Sequence, residues 1–439
     1  MTSASAEALL PAAESVLEAN WTGASTVPSR RQYPHQWGWD AAYIAFGWSW
    51  IDEARAVQEL ESILRGQWAD GRVPHIVFHA GVPEDAYFPG PAFWRSGEAH
   101  RGPAGAATSG LTQPPLHARA ALEVALHAGD ADRADAFLRG VFPRLVAQHR
   151  YLAGRRDAGA AGLAAIVHPW ESGLDDSPSW DEPLSAVELP SEGVAPYERR
   201  DREHVDPSER PSDAWYDRFV HLARAYRDGG YADDRLAERS PFLVEDPLFN
   251  AIWLWSTHAL AEIAVRIGAD AGPYREAAGA IHAGLMGRLW DPERGRFLAR
   301  DLHGGRLIDR RTVGTLAPLL DADLPAGVAR GLADQIASPH FCSKAGIGVA
   351  SYDLLAADAD ARRYWRGPVW ANLNWLLARG LRQHGLDADA DALDAATLEL
   401  VAGGGMREYF DPHTGEGRGS ADFSWTAAAV VDLLRSGAA

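Results

Sequence analysis

The strongest constraint on the fold is a helical hydrophobic period that runs almost from end to end. Apolar residues recur at i, i+3, i+4 and i+7, the spacing that gathers them on one face of an α-helix. The pattern predicts helices over residues 6–19, 39–48, 51–67, 115–128, 131–152, 212–227, 244–267, 271–289, 324–336, 367–384, 387–402 and 421–434. Strand signals are confined to Arg72-Val-Pro-His-Ile-Val-Phe and Gly295-Arg-Phe-Leu-Ala. The lack of alternation between strands and helices argues against a doubly wound α/β sheet. No shared motif returns at a period of about 30–50 residues, which disfavours a helical solenoid. No Gly/Ser-rich linker divides the chain, so residues 1–439 read as a single all-α domain.

Two segments interrupt the helical period, 71–113 and 173–211. Both exceed the ~15 residues beyond which a connection is either functional or disordered. The first holds Tyr87-Phe-Pro-Gly-Pro-Ala-Phe-Trp94 and the second holds Trp180 and Tyr197, and aromatics at this density favour ordered loops.

Composition narrows the function classes. Lys and Arg total 42 against 60 Asp and Glu, a net charge of −18. Nucleic acid and anionic membranes both call for a basic surface, so neither is an expected partner. The lone Cys342 allows no disulfide within the chain, no multi-cysteine metal site, and fits a reducing cytoplasm. Cys342 reads as a small packed residue rather than a nucleophile. No apolar run is long enough to cross a membrane, and the N-terminus lacks the basic and apolar regions of a secretion signal, so a cytoplasmic location is expected. His75 and His79 are four apart, but no glutamate or third ligand accompanies them, so zinc is not expected. Asp387-Ala-Asp-Ala-Asp has Ala392 where a calcium loop needs glycine and Leu398 where it needs glutamate. No phosphate-binding loop or dinucleotide fingerprint appears, and no metal or organic cofactor is expected.

The anomaly is aromatic. There are 17 tryptophans, and Trp37, Trp39, Trp94, Trp170, Trp180, Trp365 and Trp370 sit beside Gly, Pro or charged residues rather than in apolar runs. Such residues serve either as structural anchors with a satisfied indole N–H or as stacking platforms for sugar rings. Four clusters stand out. Val167-His-Pro-Trp-Glu-Ser-Gly-Leu-Asp-Asp-Ser-Pro-Ser-Trp-Asp181 packs Glu171, Asp175, Asp176 and Asp181 against Trp170 and Trp180. Desolvation and a like charge next door both favour a protonated carboxyl, which a glycosidase acid needs. From composition alone, a solvated acidic loop is the plainer reading. Gly403-Gly-Gly-Met-Arg-Glu-Tyr-Phe-Asp-Pro-His-Thr-Gly-Glu-Gly417 surrounds Glu408 with glycine and turn chemistry, and read alone it is a helix-to-helix loop. Tyr33-Pro-His-Gln-Trp-Gly-Trp-Asp40 and Tyr364-Trp-Arg-Gly-Pro-Val-Trp370 open helices with aromatics; Asp40 there is either a sugar-hydroxyl acceptor or an N-cap.

These stretches, with Pro74-His-Ile-Val-Phe, Tyr87-Phe-Pro-Gly-Pro, Thr108-Ser-Gly-Leu-Thr-Gln-Pro-Pro, Asp206-Pro-Ser-Glu-Arg-Pro-Ser-Asp and Ser424-Trp-Thr-Ala, run in order from about residue 30 to the C-terminus. In that order the chain resembles the (α/α)6-barrel enzymes of glycoside hydrolase family 63, and within it the bacterial mannosylglycerate and glucosylglycerate hydrolases. The resemblance implies an (α/α)6 barrel with the two long segments as a cap on the active-site side. It implies an inverting α-glycoside hydrolase with Asp175 as general acid and Glu408 as general base. It assigns Trp37, Asp40, Trp170, Gly173, Trp365 and Trp370 to the pocket of the cleaved sugar. Tyr33, Tyr87, Gln113, Arg210, Tyr216 and Tyr364 match positions on the glycerate side. His75, Trp39 and Trp425 fall in matching motifs and are expected near substrate. Arg210 is the natural partner of a carboxylate, or else a surface arginine in an acid-rich loop. The partner implied is a small carbohydrate; self-association is compatible with it.

The chain departs from the pattern at Leu174, Asp176, Ser179 and Phe423, where Met, Asn, Arg and a polar residue are common. Asp176 is expected to crowd Asp175 and raise its pKa. These departures leave the acid and base in place and bear on the aglycone. Neutral α-glucosides are the rival substrate, and sugar binding without hydrolysis is the rival function.

Overall fold

The computed structural model describes residues 3–437, with side chains from residue 8 onward. All twelve expected helical segments are helical. They are α1 (Ser3–Asn20), α2 (Gly38–Ser49), α3 (Glu53–Arg65), α4 (His117–His127), α5 (Ala131–Tyr151), α6 (Asp213–Asp228), α7 (Pro247–Ile267), α8 (Gly272–Gly284), α9 (Ala326–Ile336), α10 (Ala371–Gln383), α11 (Asp387–Gly404) and α12 (Ser424–Arg435). Several starts are fixed by side-chain caps. Asp52, Asp130, Ser212 and Asp246 each accept from an amide in the first turn, satisfying a donor the helix itself leaves free.

Three boundaries differ from expectation, for local reasons. Val244–Glu245 is a short strand paired with residues 165–166 and 300–301, and the helix waits for the Asp246 cap and Pro247. Residues 367–370 stay outside the helix, because Val369 exchanges both backbone hydrogen bonds with Phe410. Ala421 belongs to a hairpin strand rather than to α12. Of the expected strands, Ile76–Val77 pairs with Gln36–Trp37, and Arg296–Phe297 pairs with Trp290–Asp291.

The sequence pattern misses one core element. Val313–Leu320 is a 3-10 helix, buried at every residue, with Pro318 inside it. An element buried on all sides shows no amphipathic period, and proline has no amide to donate.

Around the axis run α2, α4, α7, this 3-10 helix, α10 and α12, each packed on the next, with α12 closing back on α2. Outside them lie α1, α3, α5, α8, α9 and α11, packed on α12, α2, α4 and α7, α7, the 3-10 helix and α10 respectively. This is an (α/α)6 barrel. Its connections are unequal. Inner helices lead to outer ones through the short turns 50–52, 128–130, 268–271, 321–325 and 384–386, whereas every return to an inner helix is long. All the inner helices therefore begin at the long-loop end.

No helix among the described residues is long and apolar enough to cross a membrane. The barrel interior is aromatic: Trp39 meets Tyr43 at 5.5 Å, Tyr43 meets Trp375 at 5.5 Å and Trp39 meets Trp425 at 5.7 Å, all edge to face. One buried acid ties three of these walls. Asp432 of α12 accepts from the indole N–H of Trp375 at 2.7 Å, from that of Trp50 at 2.9 Å, and from Arg379. Removing it strands an arginine and two indole donors. Asp432→Ala is expected to lose about 3–5 kcal/mol of stability in urea denaturation followed by tryptophan fluorescence.

Candidate active site

At the long-loop end, beside the N-termini of α2 and α12, lies a pocket with about 520 Å³ of empty space, its mouth included. Most of the singled-out residues meet there: Tyr33, Trp37, Trp39, Asp40, His75, Tyr87, Gln113, Trp170, Gly173, Asp175, Tyr364, Trp365, Glu408 and Trp425. Pro28 and Phe423 also line it, and the motif reading assigns neither to the site. Arg210, Tyr216 and Trp370 are not in the lining. Trp370 lies directly behind Trp365, rings parallel at 3.5 Å. Tyr216 backs Trp170 at 6.0 Å and stacks on Tyr197.

Glu408 arrives on a hairpin, Arg407–Phe410 against Gly417–Ala421, where the sequence suggests only a glycine-rich loop. Its carboxyl is nearly fully buried. One oxygen accepts from the Tyr33 hydroxyl at 2.8 Å; the other accepts from Arg210 at 3.1 Å and from the Ser420 amide at 2.9 Å. Arg210 also donates to the Tyr33 oxygen at 3.0 Å and lies over the Tyr364 ring at 4.3 Å. Gly419 makes the turn feasible. It has φ +63°, and a Cβ there would lie 2.6 Å from the Glu408 carboxyl. Arg210 is thus no surface arginine: it is 4% exposed and pinned behind Glu408.

Asp175 is set differently. It sits half-buried at the pocket wall and receives no hydrogen bond from any other described residue. Burial pushes its carboxyl up to about 8; Arg210 opposes the rise, while Glu408 and Asp176 add to it. Asp176 therefore does act on Asp175 in the expected direction. Asp176 itself is buried and ion-paired to Arg363 at 3.0 Å and Arg366 at 3.3 Å. Asp40, on the first turn of α2, is likewise held well above the usual carboxylate range by burial.

The reading of residues 167–181 as a solvated acidic loop is overturned. Glu171 is fully buried and paired with Arg156, whose two terminal nitrogens reach its two oxygens at 2.7 and 2.8 Å. The amides of Thr112 and Val167 complete its shell. Arg156 also meets Asp233, which meets Arg72 in turn. Composition cannot reveal this, because the cations lie outside the acidic run in sequence. The Trp180 indole donates to the Leu174 carbonyl at 2.7 Å and fixes the next turn. Gly173 adopts φ +76°, and a Cβ there would lie 2.8 Å from the Trp39 indole.

The model of the mannosylglycerate hydrolase MGH1-like glycoside hydrolase domain matches residues 33–426. A mannosylglycerate hydrolase of Rubrobacter radiotolerans is 40% identical over 98% of both chains. A glucosylglycerate hydrolase of Mycolicibacterium hassiacum is 38% identical over 95% of this chain and 96% of its own. The crystal structure of the family 63 mannosylglycerate hydrolase of Thermus thermophilus, in complex with Tris and D-glycerate, superposes with a TM-score of 0.90. It is 40% identical and covers 97% of this chain and 99% of its own.

The left-handed turn at Gly173 offers a direct check on the pocket wall. Gly173→Ala must adopt a conformation that costs about 1–2 kcal/mol and press against Trp39. A fall in urea midpoint with an altered near-ultraviolet tryptophan signal is expected; an unchanged signal would show that the wall does not depend on this contact.

Proposed function

The chain belongs to the mannosylglycerate hydrolase MGH1-like glycoside hydrolases, and on that premise we propose that it cleaves the α-glycosidic bond of a hexosylglycerate, mannosyl or glucosyl, with inversion. The observation that carries this reading is the contrast between two carboxyls on one tryptophan-lined pocket. Asp175 accepts from no other described residue and keeps its proton to about pH 8; Glu408 is gripped by three donors. The first is the environment of a general acid.

In this mechanism Asp175 gives its proton to the bridging oxygen as the bond to the anomeric carbon breaks. Glu408 takes a proton from the water that attacks the opposite face. Inversion requires about 6.5–9.5 Å between the carboxyls, to admit that water. Trp37, Trp39, Trp170 and Trp365 offer apolar faces to the sugar ring, and Asp40 accepts from its hydroxyls. Trp370 supports the platform from behind. His75 and Trp425 complete the pocket wall.

The glycerate falls beside Tyr33, Tyr87, Gln113, Tyr364 and Arg210, with Tyr216 behind. Arg210 supplies positive charge behind that side of the pocket, complementary to a substrate carboxylate, and its buried Nε–H has no partner among the described residues. Segments 71–113 and 173–211 act as the cap, supplying His75, Tyr87 and Gln113 from one side and Gly173 and Asp175 from the other, with Arg210 of the second segment behind Glu408. A cytoplasmic setting belongs to the same reading and is supported by the lone Cys342. A neutral α-glucoside is the second reading, favoured by the engagement of Arg210 with Glu408.

Asp175→Asn and Glu408→Gln are each expected to lose about 10²–10⁴-fold in kcat on glucosylglycerate or mannosylglycerate. Wild-type turnover in either variant would refute the assignment. Proton NMR should detect the β anomer first; initial α anomer would rule out inversion. Because the donor must be protonated, the alkaline limb of kcat/KM should fall as pH rises through about 8. Arg210→Ala should lower kcat/KM far more on a hexosylglycerate than on the matching neutral hexosylglycerol. An equal loss on both would transfer support to the neutral substrate.

A further inference from the structure

Two arginines flank the aromatic pair Tyr364 and Trp365, and both reach across to the loop that carries Asp175. Arg363 Nε lies 3.0 Å from Asp176 Oδ2. Arg366 Nε lies 3.3 Å from the same oxygen, and Arg366 Nη1 lies 2.9 Å from Asp181 Oδ2. Asp176 and Arg366 are 2% and 6% exposed, so the pair between them is shielded from the screening that makes surface pairs weak, while Arg363 and Asp181 are half-buried at its edges. The pairs Arg363–Asp176 and Arg366–Asp181 join residues 187 and 185 apart in sequence.

The arginine segment also holds an unusual backbone. Tyr364 has φ +22°, a conformation an L residue keeps only when its surroundings over-determine it. Main-chain bonds supply part of that restraint: Arg366 donates to Arg363 at 2.8 Å, Arg363 to Asp360 at 3.1 Å and Asp360 to Arg366 at 2.9 Å. The side chains of Arg363 and Arg366 then grip a single wall, the residues just after Asp175.

We infer that Arg363, Arg366, Asp176 and Asp181 form a clamp that positions the proton donor against the sugar platform, with Asp176 and Arg366 as its principal positioning residues. The inference rests on Asp175 being that donor. The clamp fixes the peptide that follows Asp175 to the peptides on either side of Trp365, so donor and platform keep one relative geometry. It also sets the local charge. Asp175 faces Arg210 from further along its own long connection, Glu408 from the hairpin, Asp40 from α2, and the Tyr87 and Tyr364 hydroxyls. Beside it, Asp176 faces Arg363, Arg366 and Asp181, and Asp181 faces Arg310.

Two substrates separate positioning from bulk stability. A hexosylglycerate needs a proton on its departing oxygen. An α-hexosyl fluoride does not: its C–F bond breaks with fluoride leaving as the anion, while water still adds with loss of a proton to Glu408. Asp176→Asn is expected to lower kcat about 10–100-fold on the hexosylglycerate, with KM little changed, and to stay within about twofold of wild type on the fluoride.

The alkaline limb of kcat/KM gives a signed second readout. Asp176→Asn removes an anion beside Asp175, so the limb should move to lower pH. Arg363→Gln removes a cation, so it should move to higher pH. Equal losses on both substrates, or limbs that stay with the wild type, would overturn the clamp. Arg363→Gln, at the more exposed side chain, carries the test if Asp176→Asn does not fold. Failure of the underlying assignment would look different, since Asp175→Asn would then turn over the hexosylglycerate normally.

Discussion

The buried ion pair between Arg156 and Glu171 is the interaction on which the site depends. The loop that presents Asp175 has little regular secondary structure, so its shape must come from side chains. Glu171 collects a bidentate arginine and two backbone amides in a place without solvent. Asp233 shares Arg156 with it and shares Arg72 beyond. Burial works against the charge of Asp233, but Arg156 and Arg72 outweigh it and hold its carboxyl below the usual range. Desolvation makes such networks poor sources of net stability, yet breaking one leaves a charge with nowhere to go. What the network supplies is a single admissible path for the chain from residue 165 to residue 175.

That path is half legible in the sequence. The twelve α-helices are readable because most have one face inside and one outside, which writes a 3.6-residue period into the chain. The 3-10 helix Val313–Leu320 is not, because it is buried all round. The hairpin under Glu408 reads as a loop because its strands are short and glycine-rich, and its pairing is a tertiary fact. Asp175 and Glu408 emerge from the order of motifs around them, not from composition. The same motifs name Arg210, but not that it grips Glu408, since no local pattern joins residues 198 apart.

The pocket achieves its asymmetry by withholding as much as by supplying. Glu408 receives donors from three segments, residue 33, residue 210 and residue 420. Asp175 receives none from the other described residues and faces further acids. The tryptophans serve both roles that the sequence leaves open: Trp39, Trp365 and Trp425 line the cavity, whereas Trp48, Trp50, Trp180 and Trp375 anchor walls through their indole N–H groups. Trp370 backs the platform without lining it.

The unequal ends of the barrel carry a consequence for how such a molecule can change. The entropy of closing a loop grows only logarithmically with its length. Residues added or rewritten in the long connections above the pocket therefore cost the barrel little. The five short turns at the other end have no such latitude, because each sets the spacing between an inner helix and its outer mate. Foldability and ligand choice are in this way stored in different stretches of one chain: the first is held by the closed ring and its tight turns, while the second can be edited from loop to loop without reopening the core.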